Sequence, residues 1–427
     1  GVESVDATIK SGRPVLKVGA VSSAAALLLP EAVARFLRYG ASAVVRVVPG
    51  DNAALLSRAR MGELDLALVR MSSFGNMVGL TFEHLHHERL VFVARTDHPL
   101  AAEPGSVAGH LVEANLRGHD SHGIGMLPFY VDSVARGTLH PNQPARLLND
   151  QGAVLQFSGE RGYGQRVAVE AMRAAIARAR QTQVVLMTLS AAHHLGRIGH
   201  YGELAARLGF VSIHFVNVID YDQPLVAPFG GTAPRFGTNP LCIALPGGVR
   251  EPPFILDFAT SMVAYGKTRV AYLAGRRFDT PVMLDAAGQP TADPRAMWES
   301  PTGALRPMAD HKGSGLVAAC ELLAGLLSGG GTLQPGNPRA GGILNNMTTI
   351  LIDPARLADM DWLRQEFDAM AGWIRSSPPA TAGQPVQLAG EPERRQQRHE
   401  RLQWGTGMAE AEWQGIVDAA RRAGAQV

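Results

Sequence analysis

Cysteine is almost absent from this sequence of 427 residues, which contains only Cys242 and Cys320, both inside apolar stretches. Two such residues exclude a disulfide framework, and they leave any metal site without the thiolate ligands of structural zinc. The chain also lacks an apolar run long enough to cross a bilayer, and its first residues do not have the pattern of a signal peptide. These absences predict a cytoplasmic protein with no membrane partner.

Charge of one sign is equally scarce, since 40 Lys and Arg nearly balance 38 Asp and Glu to give a formal net charge of +2. No strong field therefore draws the chain to nucleic acid, which we exclude as a partner. Hydrophobic residues make up 46% of the sequence and charged residues 18%, a globular mixture. The length exceeds that of one ordinary domain, and a change of character near residues 101–106 predicts a lobe over 1–104 and a larger domain over 105–427.

In the first segment, short apolar runs alternate with helical patterns, as in βα units around a sheet. The predicted strands cover 15–21, 44–48, 64–69 and 90–94, and the predicted helices cover 24–39 and 52–61. The segments LKVGAVSSAAALLLPEAVARFL and VVPGDNAALLSRARMGELDLALVRM resemble the first lobe of the effector-binding domain of LysR-type transcriptional regulators. That family binds its ligand between two lobes, and the second lobe has no counterpart here. The resemblance therefore implies a fusion remnant without a catalytic role, with a small-molecule-sensing module as the alternative.

The larger segment also alternates strands and helices. Strand patterns occupy 155–158, 184–189, 210–216, 241–245 and 254–258, and helical patterns occupy 107–116, 165–180, 203–208, 315–327 and 410–423. The helix over 165–180 is amphipathic and should pack on a sheet through Ala168, Ala171, Met172, Ala175, Ile176 and Ala179. The stretch 376–392 is rich in Pro, Ala and Gly, which predicts an exposed connection. Together these patterns predict an α/β fold.

The segment Gly162-Tyr163-Gly164-Gln165 lies between a predicted strand and a predicted helix, where a Rossmann dinucleotide fingerprint would stand. Val167 occupies the position of the third glycine, and no acidic residue stands suitably at the end of a following strand. A Rossmann site is therefore disfavoured. If this chain binds a dinucleotide, another backbone holds it.

Two histidine clusters are the most informative chemical signal. His119 and His122 stand in the segment HDSHG, and His193 and His194 follow the predicted strand 184–189. Imidazole titrates near neutral pH, so it can accept a proton from a substrate hydroxyl while hydride leaves the same carbon. Surface or hydrogen-bonded core histidines are the alternative interpretation. No HxxxH or HxxEH spacing occurs in these clusters, so no metal site is predicted.

Three glycine-containing loops could hold a phosphate or a carboxamide group. They are FGTNP around Asn239, DFATS followed by Gly266-Lys267, and His311-Lys312-Gly313 before a predicted helix. Free N–H groups at a helix N-terminus can bind an anion. For each loop alone, an ordinary turn with a solvated charge is the alternative.

Five segments together resemble the malate/lactate/ureidoglycolate dehydrogenase family, and within it the hydroxycarboxylate dehydrogenase type. They are RGHDSHGIGMLPFY, HHLGRIGHYGELAARLGF, GGTAPRFGTNPLCIALP, ILDFATSMVAYGKTRVA and ADHKGSGLVAACELLAGLL. The likeness runs from about residue 106 to the C-terminus. It implies NAD or NADP as the cofactor, a small 2-hydroxyacid or 2-oxoacid as the substrate, and a homodimer. It also implies a three-layer, non-Rossmann fold in which a mixed sheet carries helices on both faces.

Residue by residue, the resemblance implies that His194 is the proton acceptor and that Asn239 faces the reacting centre. Met126 stands where many members carry a carboxylate-binding arginine, so Arg197 and Arg235 are the candidates for that contact. The pair Ala191-Ala192 replaces the Asn-Ser pair that usually precedes the two histidines. The implied cofactor-binding residues are His122, Gly196, Arg197, Ile198, Leu256, Asp257, Phe258, Ala259, Thr260, Ser261, Lys267, His311, Lys312 and Gly313.

The sequence therefore predicts an NAD(P)-dependent 2-hydroxyacid dehydrogenase that moves hydride between C2 of a 2-hydroxycarboxylate and the nicotinamide. An inactive fusion is the alternative, because the regulator-like lobe replaces the first N-terminal helix of the family.

Overall fold

The computed structural model describes residues 14–21, 24–25, 28–38, 43–69, 79–81, 83, 104–221, 223–381, 383–394, 401–402, 405–408 and 410–425. The chain divides into two compact units, one formed by residues 1–90 and 403–409 and the other by residues 91–402 and 410–427. No helix within the described ranges is both long enough and apolar enough to span a membrane.

The N-terminal unit contains a small parallel sheet. Its strands are β1 (Val15–Ala20), β2 (Val44–Pro49) and β3 (Leu66–Leu68), in the order β2-β1-β3, and its helices are α1 (Leu29–Arg38) and α2 (Asn52–Arg60). Asp51 caps α2, because its carboxylate accepts a hydrogen bond of 2.8 Å from the Ala54 N–H. The predicted βα pattern is confirmed over these elements. The strand predicted over 90–94 lies outside the described residues.

The larger unit is built on a seven-stranded sheet. Its strands are β4 (Arg146–Gln151), β5 (Val154–Ser158), β6 (Val184–His193), β7 (Val211–Ile219), β8 (Leu241–Leu245), β9 (Phe254–Phe258) and β13 (Leu344–Ile352). They lie in the order β4-β5-β6-β13-β7-β8-β9, and the sheet is mixed because β5 and β6 are parallel while the other neighbours are antiparallel. A second small sheet comprises β10 (Met283–Leu284), β11 (Pro290–Thr291) and β12 (Ala304–Leu305).

Helices cover both faces of the large sheet, as the fold prediction requires. The helices are α3 (Pro104–Leu116), α4 (Leu127–Ala135), α5 (Gly164–Thr182), α6 (Gly199–Arg207), α7 (Tyr265–Leu273), α8 (His311–Leu327), α9 (Met360–Arg375) and α10 (Glu410–Arg422). Gly202 of α6 packs against Cys242 of β8, which pairs with His214 of β7. Asn217, on the opposite face of β7, donates a hydrogen bond of 3.2 Å to Glu321 of α8. The two helices therefore lie on opposite sides of β7.

The predicted amphipathic helix is confirmed as α5, which extends slightly beyond the predicted range. Its apolar face is rich in alanine, and small side chains allow a helix to approach a sheet closely. All six predicted core residues are at most 3% exposed: Ala168, Ala171, Met172, Ala175, Ile176 and Ala179. The connection predicted over 376–392 is also confirmed, since its described residues are mostly exposed and lack regular structure up to residue 390.

Several boundaries and elements differ from the sequence prediction, and strand β4 and helices α4, α7 and α9 were not predicted. Helix α8 begins at His311 instead of residue 315, and β6 continues to His193 instead of ending at residue 189. The central strand β13 was not predicted, because Asn345, Asn346 and two threonines interrupt its apolar pattern. Both asparagines are nevertheless at most 3% exposed, since neighbouring strands and loops provide their hydrogen-bond partners.

Candidate active site

The two predicted histidine clusters meet in the larger unit. The rings of His122 and His194 stack with their centroids 5.4 Å apart and an angle of 19° between their planes. Both side chains are half-buried, so part of each ring reaches the surface of the site. His122 closes a short 3-10 helix (Asp120–His122), and the Ser121 hydroxyl lies 2.9 Å from its Nδ1 atom. The described residues contain no group of three or more His, Cys, Asp or Glu side chains that could hold a metal ion.

A β-bulge precedes His194 and directs the two adjacent histidines differently. The pairing of β6 with β13 shifts by one residue near Asn346, so that β6 carries an extra residue there. Ala191 lies in this bulge with a φ of 51°, and its N–H donates a hydrogen bond of 3.0 Å to the Asn346 side chain. Bulges of this kind redirect side chains next to active sites. The bulge lies only three residues before His194.

His193, in contrast to His194, is a core residue. Its side chain is fully buried, with the rings of Phe129 and Tyr130 at 5.7 and 5.6 Å. Neither of its ring nitrogens has a hydrogen-bond partner among the described residues. Burial, reinforced by the nearby Arg161, lowers the pKa of His193 to about 3, so its ring is neutral. The alternative interpretation, a histidine that belongs to the core, therefore applies to His193, whereas His194 is half-buried.

Two side chains that sequence reasoning missed support His194. The Tyr130 hydroxyl lies 2.8 Å from His194 Nδ1, and the Gln165 amide nitrogen donates to the Tyr130 oxygen at 2.6 Å. Tyr130 and Gln165 are 2% and 1% exposed, so the two hydrogen bonds are shielded from water. The sequence signal that could have pointed to Gln165 was the neighbouring Gly164. A side chain on Gly164 would collide with the backbone carbonyl groups of His193 and His194, so a glycine is needed there. This glycine brings α5 against the histidines and does not mark a phosphate site.

Electrostatics keep the histidine pair neutral near pH 7. Burial is the main cause that lowers the pKa of His122 to about 4, and the positive charges of Arg197 and Lys267 contribute. Burial likewise holds the pKa of His194 well below its usual value, with smaller contributions from His122 and His193. A neutral imidazole can accept a proton, so the pair is suited to general base chemistry.

The loop after His194 is held by hydrogen bonds to buried side chains. The Leu195 N–H donates to Asn345 at 2.9 Å, the Arg197 N–H donates to His110 Nε2 at 3.1 Å, and Gly196 lies against the His110 ring. Ile198, which precedes α6, is 3% exposed. This loop is therefore rigid in its backbone and places the start of α6.

Arg197 belongs to a buried ionic cluster. Its guanidinium is 3.1 Å from Glu203, whose carboxylate is also 3.0 Å from Arg117, and all three side chains are less than 10% exposed. Because Glu203 engages the Arg197 guanidinium, this side chain is a poor candidate for the substrate carboxylate. The prediction that Arg197 binds the substrate finds no support in this geometry.

The predicted residues 256–261 form the end of β9 and the turn that follows it. Leu256, Asp257, Phe258 and Ala259 are half-buried, while Thr260 and Ser261 are buried. The Asp257 carboxylate accepts a hydrogen bond of 2.7 Å from the Gly199 N–H at the start of α6, and burial raises its pKa to about 6. Thr260 Oγ1 donates to the carbonyl groups of Thr238 and Asn239 at 2.9 and 3.0 Å. Two of the predicted loops therefore pack against each other.

Asn239 lies in a buried polar network. Its amide donates to Glu321 at 2.7 Å and to the Val317 carbonyl at 3.3 Å, and its oxygen accepts from the Val218 N–H at 3.3 Å. The side chain is fully buried. Its predicted role at the reacting centre stays a prediction, whereas these contacts give it a structural role in holding the FGTNP loop.

Lys267 borders a cavity of about 610 Å³ whose wall also includes Ser121. We call it the Lys267 cavity; its lining residues are Gly118, Asp120, Ser121, Lys267, Val270, Ala271, Arg276, Arg277, Phe278 and Asp279. Helix α7 can approach the His122 segment because Gly266 lies directly against Ser121, leaving no room for a side chain. Lys267 and Arg276 are exposed and have no ion pair with any residue in the described ranges.

The remaining predicted residues lie on exposed loops and a helix end. Arg235 is exposed, and its guanidinium donates to the Pro234 carbonyl at 2.8 Å. His311 and Lys312 are exposed in the first turn of α8, whereas Gly313 is buried against the Met308 backbone. The Met308 N–H donates to the Thr260 carbonyl at 2.9 Å, so this segment adjoins the turn after β9. No hydrogen bond or ring contact within the described ranges links these residues to His122 or His194.

Comparison with known proteins matches the larger unit to one family and the N-terminal segment to another. The profile of the malate/L-lactate dehydrogenase family matches residues 100–417, and that of the LysR substrate binding domain matches residues 10–156. Hydroxycarboxylate dehydrogenase B from Escherichia coli strain K12 is 44% identical over 320 residues, which cover 74% of this chain and 87% of that protein.

Further relatives agree in fold and in family. L-lactate dehydrogenase from Cupriavidus necator is 44% identical over 285 residues, covering 67% of this chain and 81% of that protein. A solved E. coli structure of the malate/lactate dehydrogenase type superimposes with a TM-score of 0.71 and 44% identity, covering 76% of this chain and 90% of that one. The predicted mixed-sheet, non-Rossmann fold is confirmed.

Proposed function

Since this chain belongs to the malate/L-lactate dehydrogenase family and is a 2-hydroxyacid dehydrogenase, we propose that it acts on a small 2-hydroxycarboxylate or 2-oxoacid with His194 as the general acid and base. The observation that carries the proposal is the stacked, half-buried pair of His122 and His194, whose ring centroids are 5.4 Å apart. A bound NAD or NADP would supply the hydride acceptor or donor.

In the oxidative direction, His194 accepts the proton of the substrate hydroxyl. Tyr130 holds Nδ1 at 2.8 Å, and Nε2 makes no hydrogen bond to a described residue, so Nε2 is the atom that takes the proton. The lowered pKa keeps the ring neutral before the substrate arrives, which is the form a base requires. In the reductive direction the imidazolium returns the same proton to the carbonyl oxygen.

The Lys267 cavity fits an anionic dinucleotide in size and in charge. Its volume is about 610 Å³, and Lys267 and Arg276 contribute positive charges that have no ion pair among the described residues. The same wall carries Asp120 and Asp279, and its third cation, Arg277, is paired with Asp293 at 3.1 Å. We therefore assign Lys267 to cofactor binding, together with His122, which Ser121 links to the same wall. The turn 256–261 and the loop Gly196, Arg197 and Ile198 would act through their backbone. The side chains of His311 and Lys312 remain the predicted contribution of α8.

Arg235 is our candidate for the substrate carboxylate, because Glu203 engages Arg197. An exposed guanidinium can form a bidentate pair with a carboxylate. Arg235→Ala should raise KM for the substrate and leave the Kd of the reduced nucleotide unchanged. Equal KM values for the variant and the parent would remove Arg235 from this role.

A spectrophotometric screen tests the activity. The purified chain is assayed with a panel of 2-oxoacids, including aromatic ones, against NADH and NADPH in parallel. His194→Ala should lower kcat by about 10²–10⁴-fold, the usual contribution of general acid and base catalysis, while nucleotide fluorescence titration shows an unchanged Kd. The matched control is His140→Ala, since His140 is an exposed histidine whose ring lies 3.1 Å from the Glu160 carbonyl. Unchanged turnover in His194→Ala would refute the assignment.

We propose that the enzyme is a cytoplasmic homodimer and that residues 1–104 are a fusion remnant with no catalytic role. The support is the LysR-type match over residues 10–156, whose part in the N-terminal unit forms one three-stranded sheet in its described residues. Size-exclusion chromatography with light scattering tests the dimer, and circular dichroism distinguishes a folded enzyme from an inactive fusion. Binding of a small effector to the N-terminal unit would instead favour a sensing module.

A further inference from the structure

A chain of three hydrogen-bonded side chains leads from the core of the larger unit to His194, where it ends at the ring nitrogen opposite the reacting one. Gln165 Nε2 donates to the Tyr130 oxygen at 2.6 Å, and the Tyr130 oxygen lies 2.8 Å from His194 Nδ1. Gln165 and Tyr130 are almost fully buried, and only His194 reaches the surface. Water cannot easily replace either partner, so the proton positions within this chain depend on one another.

The Tyr130 hydroxyl has a single proton to donate, and it has two neighbours. While the Gln165 amide nitrogen donates to the Tyr130 oxygen, the hydroxyl proton points to His194 Nδ1. Nδ1 must then be the unprotonated nitrogen of the neutral ring, and the proton resides on Nε2. In this arrangement His194 cannot accept a proton from a hydroxyl group at Nε2.

Rotation of the Gln165 amide by half a turn reverses these donors and acceptors. The Gln165 oxygen would accept a hydrogen bond from the Tyr130 hydroxyl, the Tyr130 oxygen would accept one from Nδ1–H, and Nε2 would carry a free lone pair. The ring stays neutral in this change, because Nε2 loses one proton to solvent and Nδ1 gains one. Gln165 Oε1 is buried and has no hydrogen-bond partner among the described residues, so the contact of Nε2 with Tyr130 is the one side-chain hydrogen bond within these ranges that holds the amide in its present orientation. After the rotation the Gln165 oxygen is paired with Tyr130, and the Gln165 amide nitrogen has lost that contact.

We propose that the Gln165 amide, acting through the Tyr130 hydroxyl, selects which nitrogen of His194 carries the proton and so decides whether His194 can act as a base. Gln165 and Tyr130 are positioning residues, and this role rests on the proposed function of His194. In the oxidative step the substrate O–H bond breaks and the Nε2–H bond forms. The resulting imidazolium donates Nδ1–H to Tyr130, which donates to the Gln165 oxygen. Burial raises the pKa of Tyr130, so its hydroxyl keeps its proton throughout.

Substitutions at Gln165 separate this role from simple packing. Gln165→Glu offers only acceptors when ionised, so it should favour Nδ1–H and stabilise the imidazolium. The acid limb of kcat/KM in the oxidative direction should then move up by about one pH unit or more, as for a nearby opposite charge. Gln165→Met has a similar shape without polar atoms and should not move the limb. Tyr130→Phe should lower kcat about three- to tenfold, the value of one hydrogen bond, with KM for the nucleotide unchanged.

Nitrogen NMR of the ligand-free protein provides a readout that does not depend on turnover. Histidine is labelled with ¹⁵N, and the His194 signals are identified by their loss in His194→Ala. The wild type should show the Nε2–H form and Gln165→Glu the Nδ1–H form, while thermal unfolding confirms that each variant is folded. The same form in both proteins, or an identical pH limb in Gln165→Glu and Gln165→Met, would overturn the proposal. Absence of dehydrogenase activity together with the expected NMR change would refute the proposed function alone.

Discussion

The bulge residue Ala191 should limit the stability of the larger unit. Its φ of 51° lies in the left-handed region, where an ordinary L-residue is disfavoured by about 1–2 kcal/mol. Two backbone hydrogen bonds hold it there, one from its N–H to Asn346 and one from the Arg161 N–H to its carbonyl, at 3.0 and 2.8 Å. Asparagine tolerates this conformation, and the family resemblance places asparagine at this position. Ala191→Asn should therefore stabilise the unit by about 1 kcal/mol.

The expected gain corresponds to an increase in Tm of about 2 °C for a unit of this size. Thermal unfolding can be followed by tryptophan fluorescence, because four of the five tryptophans lie in the larger unit: Trp298, Trp362, Trp373 and Trp413. Ala191→Val should lower Tm, since a β-branched side chain is poorly tolerated at positive φ. The matched control is Ala153→Asn, at an exposed alanine without positive φ, which should leave Tm nearly unchanged. If Ala191→Val were as stable as the parent, the strain argument would fail.

Four further outcomes are expected for the same unit. Glu203→Ala removes the ion pair of the buried Arg197 and one of the two ion pairs of Arg117, and it should destabilise the unit by about 3–5 kcal/mol in urea titrations, whereas an exposed-site alanine variant should not. The folded pKa of His193 is about 3, which is below its unfolded value of about 6.5. The neutral ring therefore stabilises the folded unit above pH 6.5, and this contribution is lost at about 1.4 kcal/mol per pH unit as the pH falls. A constant Tm from pH 6.5 to pH 4 would contradict this expectation. Asp257 has a folded pKa of about 6, above its unfolded value, so its contribution to stability is present at low pH and is lost as the pH rises from 4 to 6. Gly266→Ala should push α7 away from Ser121 and raise the nucleotide Kd severalfold in fluorescence titrations, and an unchanged Kd would exclude that packing role.

The elements that could be predicted from sequence are those whose periodicity reflects burial. Helix α5 repeats apolar residues at helical spacing, and the strands β8 and β9 are short apolar runs bounded by turns. Strand β13 is equally buried, yet its Asn345 and Asn346 obscure the pattern, because their amides are satisfied by Asn217 and a glycine carbonyl. A single sequence does not reveal which buried polar groups will find partners in distant segments.

The candidate site likewise contains residues that could be predicted from the sequence and residues that could not. The histidine clusters could be found because several titratable residues lie close together in the sequence, and the structure stacks His122 on His194. Tyr130 and Gln165 could not be found in this way, since the partners they contact lie 64 and 35 residues away in the sequence. The role of Asn239 at the reacting centre stays a prediction, because a motif asparagine can hold the loop that carries it as well as a ligand.

The two family matches overlap over residues 100–156, and the structure decides which unit that segment serves. Arg117 of α3 pairs with Glu203 at 3.0 Å, and Leu155 of β5 lies in register with Met187 of β6. Both contacts build the dehydrogenase sheet and its first helix layer. The segment also carries His122 and Tyr130, the two residues that contact the His194 ring. We therefore propose a boundary near residue 104, since a boundary beyond residue 122 would divide His122 and His194 between two units.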